Sequence, residues 1–359
     1  MTTHFLKDIL RQPAELQRAV EYLCGDGRGT LEEAAAAIRG ARHIYVTGIG
    51  ASWHAALSAG SLFHSGGRPV YLLDASELLH FAVIPPDSIL LVLSRSGRSV
   101  EIVGLVRKAR ASGAMVIGVT NAVDEPLARE SQIAIVVPAE RDHGISVNTY
   151  STLGLAAGIL ASATLGHLDD ALTTSLSRTV REAAQQIGIW QNQLEGCRWF
   201  EPRTPYYFLA RGPSLGSCYE AGLLWEEGVK LPATSMGTGS FRHGPQEIVT
   251  HGSRFGVWIN ETHLREEDLA VARDLRQLGA SVMLIGHALP EDAGDLVFQL
   301  PEGPPQWQFL TDIIPAQLAA EYLSRLAGVD CDSFRVCSFV VESEHGLLAP
   351  GQKLPMNGT

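Results

Sequence analysis

The sequence predicts an α/β protein built as two tandem three-layer αβα halves, each a parallel sheet with helices on both faces. Three observations predict it. From residue 43 onwards, β-branched apolar runs alternate with segments of helical spacing. The runs are apolar at successive rather than alternate positions, as strands buried on both faces are. The alternation then starts over in the same order near residue 206. Strand and helix taking turns is the pattern of a parallel sheet with crossover helices. At 359 residues, with 45% hydrophobic and 19% charged, the chain has the length for two domains and a globular composition.

In chain order, residues 1–40 read as amphipathic helices, "DILRQPAELQRAVEYL" and "TLEEAAAAIRGA". Thr30 is the expected N-cap of the second, with Glu33 three positions on. Residues 41–167 form the first half. "HIYVTGIGAS" is a strand running into a glycine turn, and "WHAALSAGSLFHSGG" is a helix with a glycine stop. "PVYLLDASELLHF", "SILLVLSRSG", "SVEIVGLVRKARASGA", "MVIGVTN" and "IAIVVP" continue the alternation. Residues 168–196, "LDDALTTSLSRTVREAAQQIGIWQNQLEG", read as one long linking helix. The second half, 197–340, repeats the grammar of the first. "YYFLARGPSLGSCYEAGLLWEEG" answers "HIYVTGIGASWHAALSAGSLFHSGG", and "LGASVMLIG" answers "SGAMVIG". Residues 341–359 are left as a C-terminal tail.

Several function classes are disfavoured. Net charge is −11, from 28 Lys and Arg against 39 Asp and Glu, so a broad nucleic-acid or anionic-membrane surface is not expected. Five cysteines without a CxxC pair indicate neither a disulfide framework nor a cysteine zinc site. No HExxH occurs, and neither a metal nor an organic cofactor is expected. The weakly polar stretch "LGLAAGILASATLG" is too short and too interrupted for a membrane helix. The N-terminus lacks the basic-then-apolar order of a signal peptide, so a cytoplasmic protein is expected.

The segment "LSRSGRS", residues 93–99, ends a buried-looking strand in three serines, a glycine and two arginines. Ligands of open parallel sheets bind at the carboxyl ends of the strands, where loops lead into helix N-termini. Hydroxyls and free amides there make a cradle for a phosphate. Ser94, Ser96 and Ser99 occupy that place, and Gly97 lets the backbone approach closely. Serines that merely cap a helix would look the same. The repeat separates the two readings, because the second half has "INETHL" at the corresponding strand end, without a serine-glycine cluster.

These pieces, with "GIGAS", "GVTNAVDEPLARESQ", "YEAGLLWEEG" and "FRHGP", resemble the double SIS (sugar isomerase) proteins. The likeness is in particular to the isomerase half of glucosamine-6-phosphate synthase and to related amino-sugar phosphate deaminases and deglycases. It runs from "ILRQP" to "GVDCDSFRVCSFVVES". It implies two tandem SIS domains, a small-molecule sugar phosphate as partner, and phosphate binding by Ser52, Ser94, Ser96 and Ser99. Gly50, Arg95, Gly97, Val147 and Glu220 fall beside the substrate by the same match. Arg95 and Arg98 replace the usual Gln and Glu, which makes the pocket more cationic. They would suit an additional negative group, although they read more readily as solvated surface arginines.

Glu220, Leu224 and Glu227 share one helix face by their i, i+4, i+7 spacing. On spacing alone this is as well a solvated face. The resemblance implies that Glu227 carries a proton between C1 and C2 of the open-chain sugar and that His243 opens the ring. Such a histidine reaches in from a neighbouring subunit, so a homodimer with shared active sites is implied. A carboxylate suits transfer between adjacent carbons, and imidazole works near neutral pH. Thr2 stands where a glutaminase cysteine would follow the initiator Met, and Leu224 and Phe339 stand where two lysines of the synthase would be. The expectation is a glutamine-independent phosphosugar enzyme, deaminating or deglycating, with a non-catalytic sugar-phosphate sensor as the alternative.

Overall fold

The structure, a computed structural model, describes residues 2–344 together with 346 and 347. Most of the predicted tail lies outside the described residues. Two helices come first, α1 (His4–Cys24) and α2 (Arg28–Gly40). The Thr3 hydroxyl caps α1 by accepting from the Leu6 amide. The amides of His4 and Phe5 donate to the Asp332 carboxylate at 2.7 and 2.8 Å, which ties the start of the chain to a loop near its end. Helix α2 begins two residues before Thr30, contrary to the capping pattern. The amides of Gly25 and Gly27 both donate to the Tyr22 carbonyl, so the chain reverses sharply and re-enters a helix at once. Gly27 occupies the N-cap without a side-chain bond, and Thr30 lies inside the first turn, where it cannot cap.

The first sheet comprises β1 (His43–Thr47), β2 (Tyr71–Leu72), β3 (Ser88–Ser94), β4 (Met115–Thr120) and β5 (Ile133–Val136). Its order is β2-β1-β3-β4-β5, with every pairing parallel. Interspersed are α3 (Ala51–Ser65), α4 (Ala75–His80), α5 (Val100–Ala111) and α6 (Pro126–Glu130), and α7 (Asn148–Leu165) follows the last strand. Strand β3 is buried at every position, as an apolar run covered on both faces must be. The predicted connector is α8 (Asp170–Leu194), capped by the Asp169 carboxylate accepting from the Leu172 amide.

The second sheet comprises β6 (Tyr206–Ala210), β7 (Ala233–Gly237), β8 (Arg254–Trp258), β9 (Ser281–Gly286) and β10 (Leu296–Gln299). Its order is β10-β9-β8-β6-β7, again wholly parallel. Its helices are α9 (Leu215–Leu224), α10 (Thr238–Phe241), α11 (Arg265–Gln277) and α12 (Ile314–Leu326). Counted within each half, the two sheets share one strand order, 2-1-3-4-5, so the repeat read from the sequence is carried into the topology. This order reverses direction between its first and third strands, which opens a crevice at their carboxyl ends.

One apolar core runs through both halves, joining α1, α3 and α7 to α8, α9 and α12, while two smaller clusters lie on the outer faces. The halves touch most intimately where α9 crosses α3. A Cβ at Gly216 would lie 2.2 Å from the Ser58 Oγ and 2.4 Å from the His54 carbonyl oxygen. Only glycine allows this approach, and it brings the far end of α9 beside the first crevice. Among the described residues no helix is long and apolar enough to cross a membrane.

Candidate active site

The first crevice is built by two turns. After β1 the chain passes through Gly48-Ile49-Gly50, with Gly50 at φ +55°. A Cβ at Gly48 would meet the Ser52 carbonyl at 2.7 Å and the Trp53 amide nitrogen at 2.9 Å, so the tight turn into α3 requires glycine. After β3, the Ser94 Oγ accepts from the Gly97 amide at 3.0 Å and the Ser96 Oγ from the Arg98 amide at 3.4 Å. Gly97 sits at φ +65°, against the side chains of Glu125 and Leu127. Ser99 is the N-cap of α5 yet makes no side-chain capping bond, which leaves its hydroxyl for another acceptor or donor. The two turns meet where the Arg95 amide donates to the Ser52 Oγ at 3.4 Å.

The second half supplies a carboxylate. Helix α9 widens after Leu224 into a π-helical turn, residues 225–229, and ends at Lys230, a non-glycine residue at φ +62°. Single π turns within α-helices recur at functional sites. This one carries Glu227, whose pKa is pushed up to about 7, chiefly by burial and then by the negative charge of Glu220, against the pull of Arg95 and Lys230. The Lys230 ammonium donates to the Glu227 carbonyl and, at 3.0 Å, to the Ser333 carbonyl.

Gly50, Ser52, Ser94, Arg95, Ser96, Ser99 and Glu227 all line one cavity of about 210 Å³. Apart from Phe339, sequence reasoning missed the rest of the lining, which includes Glu101, Gly144, Ser146, Leu223, Phe334 and the segment from Cys337 to Val341. That segment crosses the site and is fastened by the Val100 amide donating to the Val341 carbonyl. It has neither periodicity nor a turn signal, so nothing local in its residues announces a roof.

Four expected residues stand elsewhere. Gly97 shapes the turn behind the cavity. Val147 is buried at the start of α7, its amide donating to Asp142. Glu220 is buried beneath the site, with its Oε2 2.8 Å from the Nδ1 of His54. His243 is exposed on the loop after α10 and does not line the cavity. Of the two positions where lysines were expected, Leu224 is buried and Phe339 lines the cavity.

The corresponding crevice of the second sheet also opens, into a cavity of about 830 Å³ lined by Arg211, Gly212, Asn260 and His263 among others. Gly212 repeats the positive φ of Gly50, at +55°. No serine cluster follows β8, and Arg211 is paired with buried Asp268 at 2.8 Å.

Comparison with known proteins agrees with this arrangement. Residues 37–163 match the SIS domain family. Over 342 residues the chain is 26% identical to a glutamine–fructose-6-phosphate aminotransferase (isomerizing) of Pyrobaculum aerophilum, covering 92% of this chain and 56% of that protein. The enzyme of the same name from Symbiobacterium thermophilum is 27% identical over 351 residues, 92% of this chain and 58% of its own. The chain thus spans somewhat over half the length of these relatives. Among solved structures, the C-terminal domain of glucosamine-fructose-6-phosphate aminotransferase from Francisella tularensis superposes with a TM-score of 0.82 at 20% identity, over 92% of this chain and 98% of that one. A glucosamine-6-phosphate deaminase from Thermotoga maritima does so with a TM-score of 0.79 at 20% identity, over 94% and 99%. The fold is that of two tandem SIS-type domains.

Proposed function

We propose an enzyme that releases ammonia or an amine from a phosphorylated amino sugar or sugar–amine adduct, for a chain whose residues 37–163 match the SIS domain and whose fold is shared with the aminotransferase domain and the glucosamine-6-phosphate deaminase named above. One observation carries the reading: a half-buried carboxyl poised at about 7 lines the same small cavity as four serine residues at a strand-end crevice. Ser52, Ser94, Ser96 and Ser99 hold the phosphate through their hydroxyls. Glu227 takes a proton from C1 of the open-chain 1-amino-ketose and returns it to C2. The carbon–nitrogen bond becomes an imine, which one water molecule cleaves to the aldose phosphate and the free amine; with a 2-amino-aldose such as glucosamine 6-phosphate the proton runs from C2 to C1, and water cleaves the C2 imine to the ketose phosphate and ammonia. Nothing is oxidised overall. A carboxylate raised toward neutrality is a strong enough base for this step and still ionises at physiological pH.

Ring opening falls to His243, which has to come from a second copy of the chain, because within one chain it lies outside the cavity. A homodimer with shared sites follows from that assignment. The name of the Thermotoga maritima neighbour supports the deaminating branch. Leu224 and Phe339, where synthase lysines are expected, disfavour isomerisation through a lysine imine.

The test is to mix the protein with glucosamine 6-phosphate and with fructosamine 6-phosphates and to assay free amine from acid to mild alkaline pH. Turnover supports the reading. A ligand-induced rise in melting temperature without turnover at any pH overturns it in favour of a sugar-phosphate sensor. In the same assay Ser96→Ala is expected to weaken sugar-phosphate affinity about tenfold or more, since a hydrogen bond to a charged group contributes about 1.5–3 kcal/mol. Unchanged affinity would remove Ser96 from the cradle.

A further inference from the structure

We propose that Arg95 and Arg141 hold a carboxylate carried on the amine side of the substrate, in a second cavity beside the phosphate cradle. The proposal rests on the phosphosugar reading above and narrows its substrate class.

The second cavity has a volume of about 200 Å³ and shares Arg95, Ser96 and Phe339 with the first. Arg98, Arg141 and Glu125 also line it, so three guanidinium groups and one carboxylate face a small space. Arg98 is already matched, with its Nη1 3.3 Å from Glu125 and its Nε 2.9 Å from Glu342. Arg95 is not. Its Nη1 donates to the Gly144 carbonyl at 3.2 Å and the Ser146 hydroxyl at 2.9 Å, and its Nη2 to the Phe339 carbonyl at 3.3 Å. All three acceptors are neutral, and they use three of the five N–H groups a guanidinium carries. Among the described residues no carboxylate lies within ion-pair distance of Arg95 or of Arg141.

An arginine stays charged in a protein, and a half-buried charge without a direct counter-ion keeps part of its desolvation cost. Burial pulls the Arg95 pKa down, against the negative charges of Asp142 and Glu227, while the neighbouring positive charge of Arg141 adds to the lowering. Both guanidinium carbons lie over the Phe339 ring, at 4.2 and 4.8 Å from its centre. Stacking occupies their faces and leaves N–H edges for an acceptor, the geometry that suits a bidentate carboxylate. The contrast with the second sheet is direct, since Arg211 has Asp268 as its built-in anion. At the first crevice Arg95 and Arg141 have no such direct partner, and the carboxylates that act on Arg95, those of Asp142, Glu227 and Glu220, do so from beyond ion-pair distance. Because Arg95 borders both cavities, a sugar phosphate seated on the serines and reaching Glu227 has a charged space adjoining it. A substituent ending in a carboxylate fills that space.

Calorimetric titration of the full chain with three reduced, non-hydrolysable adducts of glucose 6-phosphate tests this. The amine parts are glycine, ethanolamine and aminomethylphosphonate. The glycine adduct is expected to bind at least about tenfold more tightly than its neutral ethanolamine counterpart. That ratio should fall to about one to two in Arg95→Gln and in Arg141→Gln; Arg141 is exposed, so its variant keeps the test open if the buried site does not fold. Equal binding of glycine and ethanolamine adducts, a ratio that survives both substitutions, or a stronger preference for the phosphonate overturns the proposal. Turnover of glucosamine 6-phosphate by the same preparation, without glycine preference, overturns the carboxylate site alone. Glycine preference without any turnover overturns the catalytic reading alone.

Discussion

Glu227→Gln is expected to lower turnover of a phosphosugar by about 10²–10⁴-fold, the usual contribution of a positioned general base, while sugar-phosphate binding persists. Glutamine keeps the shape and hydrogen-bonding capacity of the side chain but cannot accept the C1 proton. The serines proposed to hold the phosphate belong to different turns, so their geometry is left in place. Parallel measurement of kcat and of ligand affinity by calorimetry checks the split; wild-type turnover would remove Glu227 as the base. With its pKa near 7, the working form is the ionised one, so the wild-type rate should climb as pH rises through about 7 and then level.

Stability should move the other way. The folded chain holds protons on Glu227 and on buried Asp312, both pushed up to about 7 mainly by burial, at pH values where the unfolded chain has released them. The folded form binds more protons across the interval from the ordinary carboxylate range to about 7, so stability falls as pH rises through it. Glu227→Gln removes its share of that slope. Melting temperatures of the two proteins between pH 5 and 8 should therefore diverge in favour of the variant.

The second large effect is expected at Gly216. In Gly216→Ala the new methyl group would stand 2.2 Å from the Ser58 Oγ and 2.4 Å from the His54 carbonyl oxygen, and backbone atoms cannot step aside as a flexible side chain does. Helices α3 and α9 must part, at a cost of about 1–3 kcal/mol typical of overpacking. Because α9 leads directly into the turn that holds Glu227, the shift should also lower kcat by more than about tenfold, given that about 1 Å of misplacement can cost 10²-fold. Gly188→Ala in α8 serves as the control, since its methyl group would meet nothing within 4 Å and alanine favours a helix. Thermal denaturation and steady-state kinetics of both variants check this. Equal stability of the two would mean that the close crossing is not what seats Glu227.

Much of this arrangement was legible because it is written locally. The uninterrupted "SILLVL" run announces a strand covered on both faces, and β3 is buried throughout. The serines after it announce their own place, because a strand end in a parallel sheet has only one crevice to face. The start of α2 misled because a capping box is a pattern of side chains, whereas the glycine turn at Tyr22 set the boundary through backbone bonds. The resemblance placed Arg95 beside the substrate, but its partial burial was not legible. An arginine after a strand reads as solvated, and what buries it is the carbonyl and ring of Phe339, 244 positions away. The π-helical turn under Glu227 likewise has no signature in "LLWEEG". Interactions that arise only when distant segments meet leave no trace in spacing.

The bonds from His4 and Phe5 to Asp332 have a practical side. The loop they hold runs within a few residues into the strand of chain that roofs the cavity. A purification handle placed ahead of Thr3 would therefore lean on the anchor of that roof, and quantitative work on this protein is best done with such a handle cut away.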